Sequence, residues 1–166
     1  FGGASFNFDF STDTSNTDPT SGWLKFNNAT LTSATKLYID VIEDDSVGSG
    51  QNISSFLETI DDSTSAIKGH FAIYDIANTA ATVLFAINGN HILHGNTSTG
   101  YYEVPVAYVS GSTSSYTEHT ELYITFARTG DVGDKGDTGS KGDKGEIGVT
   151  GNTGATGSKG DKGDIG

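Results

Sequence analysis

Cysteine and methionine are absent from this sequence, proline occurs twice, and nine lysines and arginines face 21 carboxylates. Without cysteine the chain can form neither disulfides nor thiolate metal sites. A net charge of −12 repels nucleic acid and anionic lipid over a Debye length, so no nucleic-acid partner is expected. No apolar run approaches the roughly 20 residues of a membrane helix, and membrane insertion is not expected either. Strand-like and helix-like segments do not alternate, which argues against a doubly wound parallel sheet.

What is present divides into two regions. Of the 23 glycines, 13 fall at every third position from Gly130 to the last residue. They are Gly130, Gly133, Gly136, Gly139, Gly142, Gly145, Gly148, Gly151, Gly154, Gly157, Gly160, Gly163 and Gly166. Before Gly130, four basic residues face 14 carboxylates, a net charge of −10, and the tail carries five lysines against seven, a net −2. Composition therefore predicts a globular module over 1–129 and a repetitive segment over 130–166. Phe1 replaces an initiator methionine and Gly166 is still in register, so the natural polypeptide is expected to continue on both sides.

An unbroken glycine period of three is the pattern of a collagen-like triple helix. Only glycine fits at the axis where three extended strands meet, so the period calls for two further copies of the chain, a homotrimer. A flexible Gly/Ser linker has no reason to hold that period. The tail has no proline to pre-set its backbone angles, and winding it costs correspondingly more conformational entropy. The recurring Lys-Gly-acid element offers compensation. It pairs Lys135 with Asp137, Lys141 with Asp143, Lys144 with Glu146, Lys159 with Asp161 and Lys162 with Asp164. This stretch resembles the proline-free collagen-like repeats of bacterial and viral proteins, and the resemblance implies that each ammonium lies beside a carboxylate of a neighbouring chain. Exposed pairs of this kind contribute about 0–1 kcal/mol each, so a nucleus for winding is expected in the preceding module.

That module reads as all-β. Phe6, Phe8 and Phe10 alternate with Ser5, Asn7 and Asp9, the period of a half-buried strand. Segments 23–27, 36–42, 69–75, 82–88, 101–109 and 121–127 are rich in β-branched and aromatic residues and make about seven strands in all. Ile53, Phe56, Leu57 and Ile60 have helical spacing, predicting one short helix over 52–60. Asn88-Gly89-Asn90 predicts a tight hairpin, and Pro105 an edge strand or a bulge. An antiparallel sandwich or jelly-roll-like fold accommodates these elements.

Catalytic chemistry is not legible. No serine sits in a Gly-x-Ser-x-Gly elbow, and His70, His91, His94 and His119 have no readable nucleophile; no enzyme activity, cofactor or metal is expected. His91 and His94, three apart, point to opposite faces of a strand, and His119 has Glu118 and Glu121 close by in sequence. The clusters Glu43-Asp44-Asp45 and Asp61-Asp62-Ser63 supply hard oxygens but lack the spacing of a calcium loop and read as solvated. Trp23, Tyr101, Tyr102, Tyr108, Tyr116 and Tyr123 are the aromatic candidates for a glycan or receptor surface. Of the adjacent Tyr101 and Tyr102, one is expected to face a neighbouring subunit or solvent.

Ordered along the chain, FNFDFST, DPTSGWLKFNNAT, TKLYIDVIEDD, FLETIDDSTSAIKGHFAIYD, GYYEVPVAYVSG and ELYITFARTGDVGDKGDTG resemble a module of bacteriophage tail fibres and related virion appendages. Asp18-Pro19-Thr20 stands where that family has Asp-Pro-Gly. The resemblance implies a virion location, collagen-like stretches flanking the β module, and other fibre or tail proteins as partners. The module would be a trimerisation and register node or spacer. The alternative is an adhesin module for host attachment, binding a surface glycan or protein in a tail fibre or in a cellular or giant-virus collagen-like protein. Replacing the five tail lysines by glutamine should lower the melting temperature of the tail, followed by circular dichroism. The fall should be larger at about 10 mM salt than at about 1 M, and a wild-type melting point unchanged over that range would remove the ion-pair ladder as the stabiliser.

Overall fold

The computed structural model describes residues 3–44, 50–133 and 135–163. It falls into two units, one running to Gly133 and one beyond it. The regular structure of the first unit is almost entirely strand. Its elements are β1 (Ala4–Ser11), β2 (Trp23–Phe26), β3 (Lys36–Asp40), β4 (Gly69–Asp75), β5 (Thr82–Ile87), β6 (Ile92–His94), β7 (Tyr101–Gly111) and β8 (Glu121–Arg128). All seven expected strands form, and β6 is additional.

The strands run in the order β3-β2-β1-β8-β4-β5-β7, and β3 pairs again with β7, closing a seven-stranded barrel. This corrects the expected sandwich or jelly roll. Alternation states that one face of each strand is buried, which is equally true of two stacked sheets and of one sheet curled on itself. The deciding contact is between Lys36–Asp40 and Tyr101–Pro105, segments far apart in sequence. Inward positions follow the period of two without exception through Phe8 and Phe10, Leu24 and Phe26, Leu37 and Ile39, Phe71 and Ile73, Val83, Phe85 and Ile87, and Leu122, Ile124 and Phe126. A run of rings crosses the interior. Phe85 stacks on Phe26 at 4.9 Å and on Phe71 at 5.4 Å, and Phe71 continues to Phe126 at 5.5 Å.

Both barrel ends are capped. At the end where β8 finishes, Ile53, Leu57 and Ile60 are buried and Phe56 packs on Phe6 and Phe126. Regular helix there is limited to one turn, α1 (Ser54–Leu57), shorter than the expected 52–60. The helical spacing correctly marks the face that plugs the barrel. At the opposite end Tyr116 packs edge-on against Phe10 and its hydroxyl donates to the Ile73 and Ala81 carbonyls at 3.2 and 3.0 Å.

Asn88-Gly89-Asn90 is not a hairpin turn. β5 and β6 do not pair with each other; both pair antiparallel with β7, at Ile87↔Val106 and Ile92↔Glu103. The segment is a bulge-like interruption in one edge, and a Cβ at Gly89 would stand 3.1 Å from the Pro105 ring, a tight approach that glycine avoids. Pro105 itself sits where β7 ends its pairing with β3.

β1 and β2 are parallel, with Asp9↔Trp23 and Ser11↔Lys25 in register. Parallel neighbours need a crossover, and residues 12–22 supply it, returning along the outside of the barrel. The return ends in a tight turn at which Thr20 has φ +75°, a left-handed conformation costly for a β-branched residue. Glycine, lacking a Cβ, has no such cost. Thr20→Gly should therefore raise unfolding stability by about 1 kcal/mol, measured by urea denaturation, and an equal or lower stability would show the turn to be unstrained.

Candidate functional site

Polar side chains converge at two places, under the crossover strap and at the point where the barrel passes into the glycine repeat. Outward positions of β2, β3 and the first half of β7 hold Lys25, Tyr38, Asp40, Tyr101 and Glu103, and all five are buried. Lys25 is only 2% exposed, and its Nζ donates to Asp13 Oδ2 at 2.6 Å and to Thr17 Oγ1 at 2.8 Å. Lys25 in turn holds the Asp13 carboxyl well below the usual carboxylate range. Asn16 bridges the strap to the wall, accepting from the Tyr101 hydroxyl at 2.9 Å and donating to Glu103 Oε2 at 2.9 Å. Glu103 also meets the Lys36 ammonium and His94 Nε2, the latter at 3.0 Å. Burial opposes ionisation of Glu103, but Lys36, His94 and Asn16 outweigh it and its pKa lies below the ordinary glutamate value. The His94 ring lies flat on Tyr101 at 4.7 Å.

Beside this network Asp18, Thr20, Ser21, Asp40, Ser98 and Thr99 line a cleft of about 380 Å³. Asp40 is 3% exposed. Burial is the main cause that raises its pKa to about 6, with the neighbouring Asp18 adding to it and the Ile42 N–H, donated to Oδ1 at 2.7 Å, opposing.

The second cluster begins where β8 ends. The Thr129 N–H donates to the Lys68 carbonyl at 2.9 Å. Ser63 and Ser65 both donate their hydroxyls to the Gly130 carbonyl at 3.0 Å. The Thr64 N–H donates to Asp131 Oδ1 at 3.0 Å, and Thr64 Oγ1 accepts from the Val132 N–H at 2.9 Å. The first triplet is thus bound to the cap rather than free, and the compact unit reaches Gly133, past the boundary that composition suggests.

Comparison of the chain with known protein families, with curated proteins and with solved structures finds no match. Its chemistry is therefore read from its own geometry.

The sequence-derived candidates are dispersed. Among the described residues no three of His, Asp and Glu gather as a metal site. His91 and His94 diverge as expected: the His91 N–H donates to Asp61 Oδ2 at 2.6 Å, and its Nδ1 stands 2.9 Å from Oδ1 without hydrogen-bond alignment. Asp61 is therefore engaged with His91 rather than solvated. Glu118 takes the Thr12 N–H and hydroxyl at 2.5 and 2.6 Å, whereas His119 packs against Trp23 at 4.8 Å. Asp45 of the first acidic cluster, with Asp164 and Gly166 of the tail, lies outside the described residues. Tyr102 is in the core and Tyr101 under the strap at 7% exposure, so neither faces solvent in this chain; the strap, not a second subunit, covers the outer one. Tyr108 packs against the core and Tyr116 caps it, leaving Tyr123 as the most open of the tyrosine candidates, at 37%. In the tail, described residues 135–163 carry no helix, strand or turn and are exposed throughout. Among the described residues no ion pair joins a tail lysine to a carboxylate.

The Ser63-Thr64-Ser65 clamp went unrecognised in the sequence because a short hydroxyl run after two aspartates reads as a loop, and its partner is 65–68 residues away. The raised Asp40 pKa has a consequence for stability. The folded state holds this proton more tightly than the unfolded chain, whose aspartate pKa is about 3.9, so the contribution is complete below about pH 4 and lost as pH rises through about 6. Asp40→Asn retains the acceptor for the Ile42 N–H and cannot ionise. It should gain about 2 kcal/mol over the parent at about pH 8 and nothing near pH 4, by urea unfolding at the two pH values.

Proposed function

We propose that this chain is a structural component of a trimeric viral fibre, in which residues 130–166 wind with two further copies into a collagen-like triple helix. The barrel is the node that brings the three chains together and sets their register. One observation carries the reading. At each of the 12 glycines from Gly130 to Gly163 nothing stands within 4 Å of where a side chain would project, and none has a left-handed φ. The barrel's glycines differ: at Gly100 an added Cβ would meet the His94 carbonyl oxygen at 2.2 Å, and at Gly69 that of Ala127 at 2.8 Å. Nothing within one chain asks for glycine at these 12 described positions, and a period of three held through 13 positions is the requirement of an axis shared by three strands.

The clamp on the first triplet supports the division of labour. Gly130 and Val132 are held by hydrogen bonds to the barrel's cap, so the tail starts from an ordered residue. Three barrels that associate would present three such starts together, removing much of the loop-closure cost of bringing proline-free strands into register. The ladder from Lys135 to Asp164 then acts between chains. Other fibre or tail proteins are the expected partners along the particle, and the function is mechanical rather than catalytic. Analytical ultracentrifugation with small-angle scattering tests the proposal. At micromolar concentration the chain should sediment as a trimer, with its 37 tail residues extending about 110 Å at about 3.1 Å per residue, and a compact monomer would refute it.

A further inference from the structure

Outward positions around the barrel are unequal. On the β2–β3–β7 side they are charged and covered by the chain's own strap, through Lys25, Asp40 and Glu103. On the other side, across β8, β4, β5 and the second half of β7, cross-strand register sets three rows. Ala127, His70, Ala86 and Ala107 form the row nearest the start of the glycine repeat. Thr125, Ala72 and Leu84 form the next, and Tyr123, Tyr74 and Thr82 the third, with Tyr74 and Tyr123 in ring contact at 5.7 Å. No lysine, arginine or carboxylate occurs in these three rows, and the next outward residue of β8, the exposed Glu121, lies beyond the third, at the end away from the glycine repeat. Val109, at the bulge beside Leu84, adds a side chain that is 48% exposed.

We infer that this uncharged face of β8, β4, β5 and β7 is the surface through which the barrel packs against its own copies, rather than the strapped face or a barrel end. The inference rests on the trimeric reading and adds to it which face turns to the axis. Two observations select the occupant. The chain before Gly130 has a net charge of −10, so copies can approach closely only through a surface that buries no unpaired carboxylate. Ala127 lies in the first row, and Gly130 follows three residues later, fixed by Ser63 and Ser65. If three Gly130 residues meet at one axis, the part of the barrel nearest that axis is the end of β8, and the uncharged face spreads from it. In the first row the small side chains of Ala127 and Ala107 let backbones come close, Ala86 between them being buried within the chain itself, and the tyrosines of the third supply apolar area farther along. In a closed ring of three the contact is heterologous, so the β8–β4 half of one copy meets the β5–β7 half of the next.

The test uses the full chain. It has no cysteine, so Tyr123→Cys and, on the exposed strap, Thr14→Cys each create a single thiol for a nitroxide label, and dipolar spectroscopy reads distances between copies. The face predicts shorter distances from position 123 than from position 14. In parallel, Ala72→Arg places a charge in the middle of the face. It should keep the barrel's circular dichroism while weakening association at least about a hundredfold, the order expected for an unpaired buried charge, by sedimentation over a concentration series. A native chain that never associates overturns the trimeric reading and this inference together. A native trimer in which position 14 gives the shorter distances, or in which Ala72→Arg associates as tightly as the parent, overturns the face alone. Should Ala72→Arg fail to fold, the label distances decide.

Discussion

Five residue pairs between β3 and β7, from Lys36↔Pro105 to Asp40↔Tyr101, are the constraint on which the rest of this structure depends. With them the sheet has no free edge around most of its circumference, and every strand turns one face to a common interior. That interior is narrow enough for single layers of side chains to fill, which is why phenylalanine recurs at inward positions and why Phe26, Phe85, Phe71 and Phe126 touch in sequence across it. Without the closing pair, β3 and β7 would present unpaired N–H and carbonyl groups, a template for aggregation.

Closure also explains the unusual placement of charge. Lys25 and Glu103 point outward from the barrel, yet each is almost fully buried because the β1–β2 pairing is parallel and its crossover must pass over them. Burial of ions is costly unless each is paired and hydrogen-bonded. The strap meets that condition through Asp13 and Thr17 on Lys25 and through Asn16 on Glu103. The network thus gives the strap one position, and with it one path from β1 to β2. Its pairs are part of the scaffold, each holding the strap to the barrel wall.

At the opposite level of order stands the tail, where no contact within a single chain explains the described glycines. The two regions are complementary in the proposed fibre. One supplies long-range contacts that define position, and the other a local repeat that defines nothing until copies are brought together. The serine and threonine clamp on Gly130, Asp131 and Val132 is where the two kinds of order meet.

Seven strands were legible because alternation is a property of each short segment by itself, and the glycine period was legible because any departure from it would be visible as a single residue. The plug formed by Ile53, Leu57 and Ile60 was also readable as an apolar helical face, though its regular helix is one turn long. Asn88-Gly89-Asn90 misled because a turn signature does not state which strand its flanks will join, and both joined β7. The burial of Tyr101 was hidden for a related reason: the strap that covers it lies about 85 residues away, as the Asn16 bond shows. By itself, then, the sequence determined which segments extend, which faces are apolar and that the tail repeats in threes, since each follows from neighbours along the chain. Barrel rather than sandwich, the strap over buried ions and the clamp at Gly130 were decided only in the tertiary structure, because each depends on a pairing between segments whose separation leaves no local pattern.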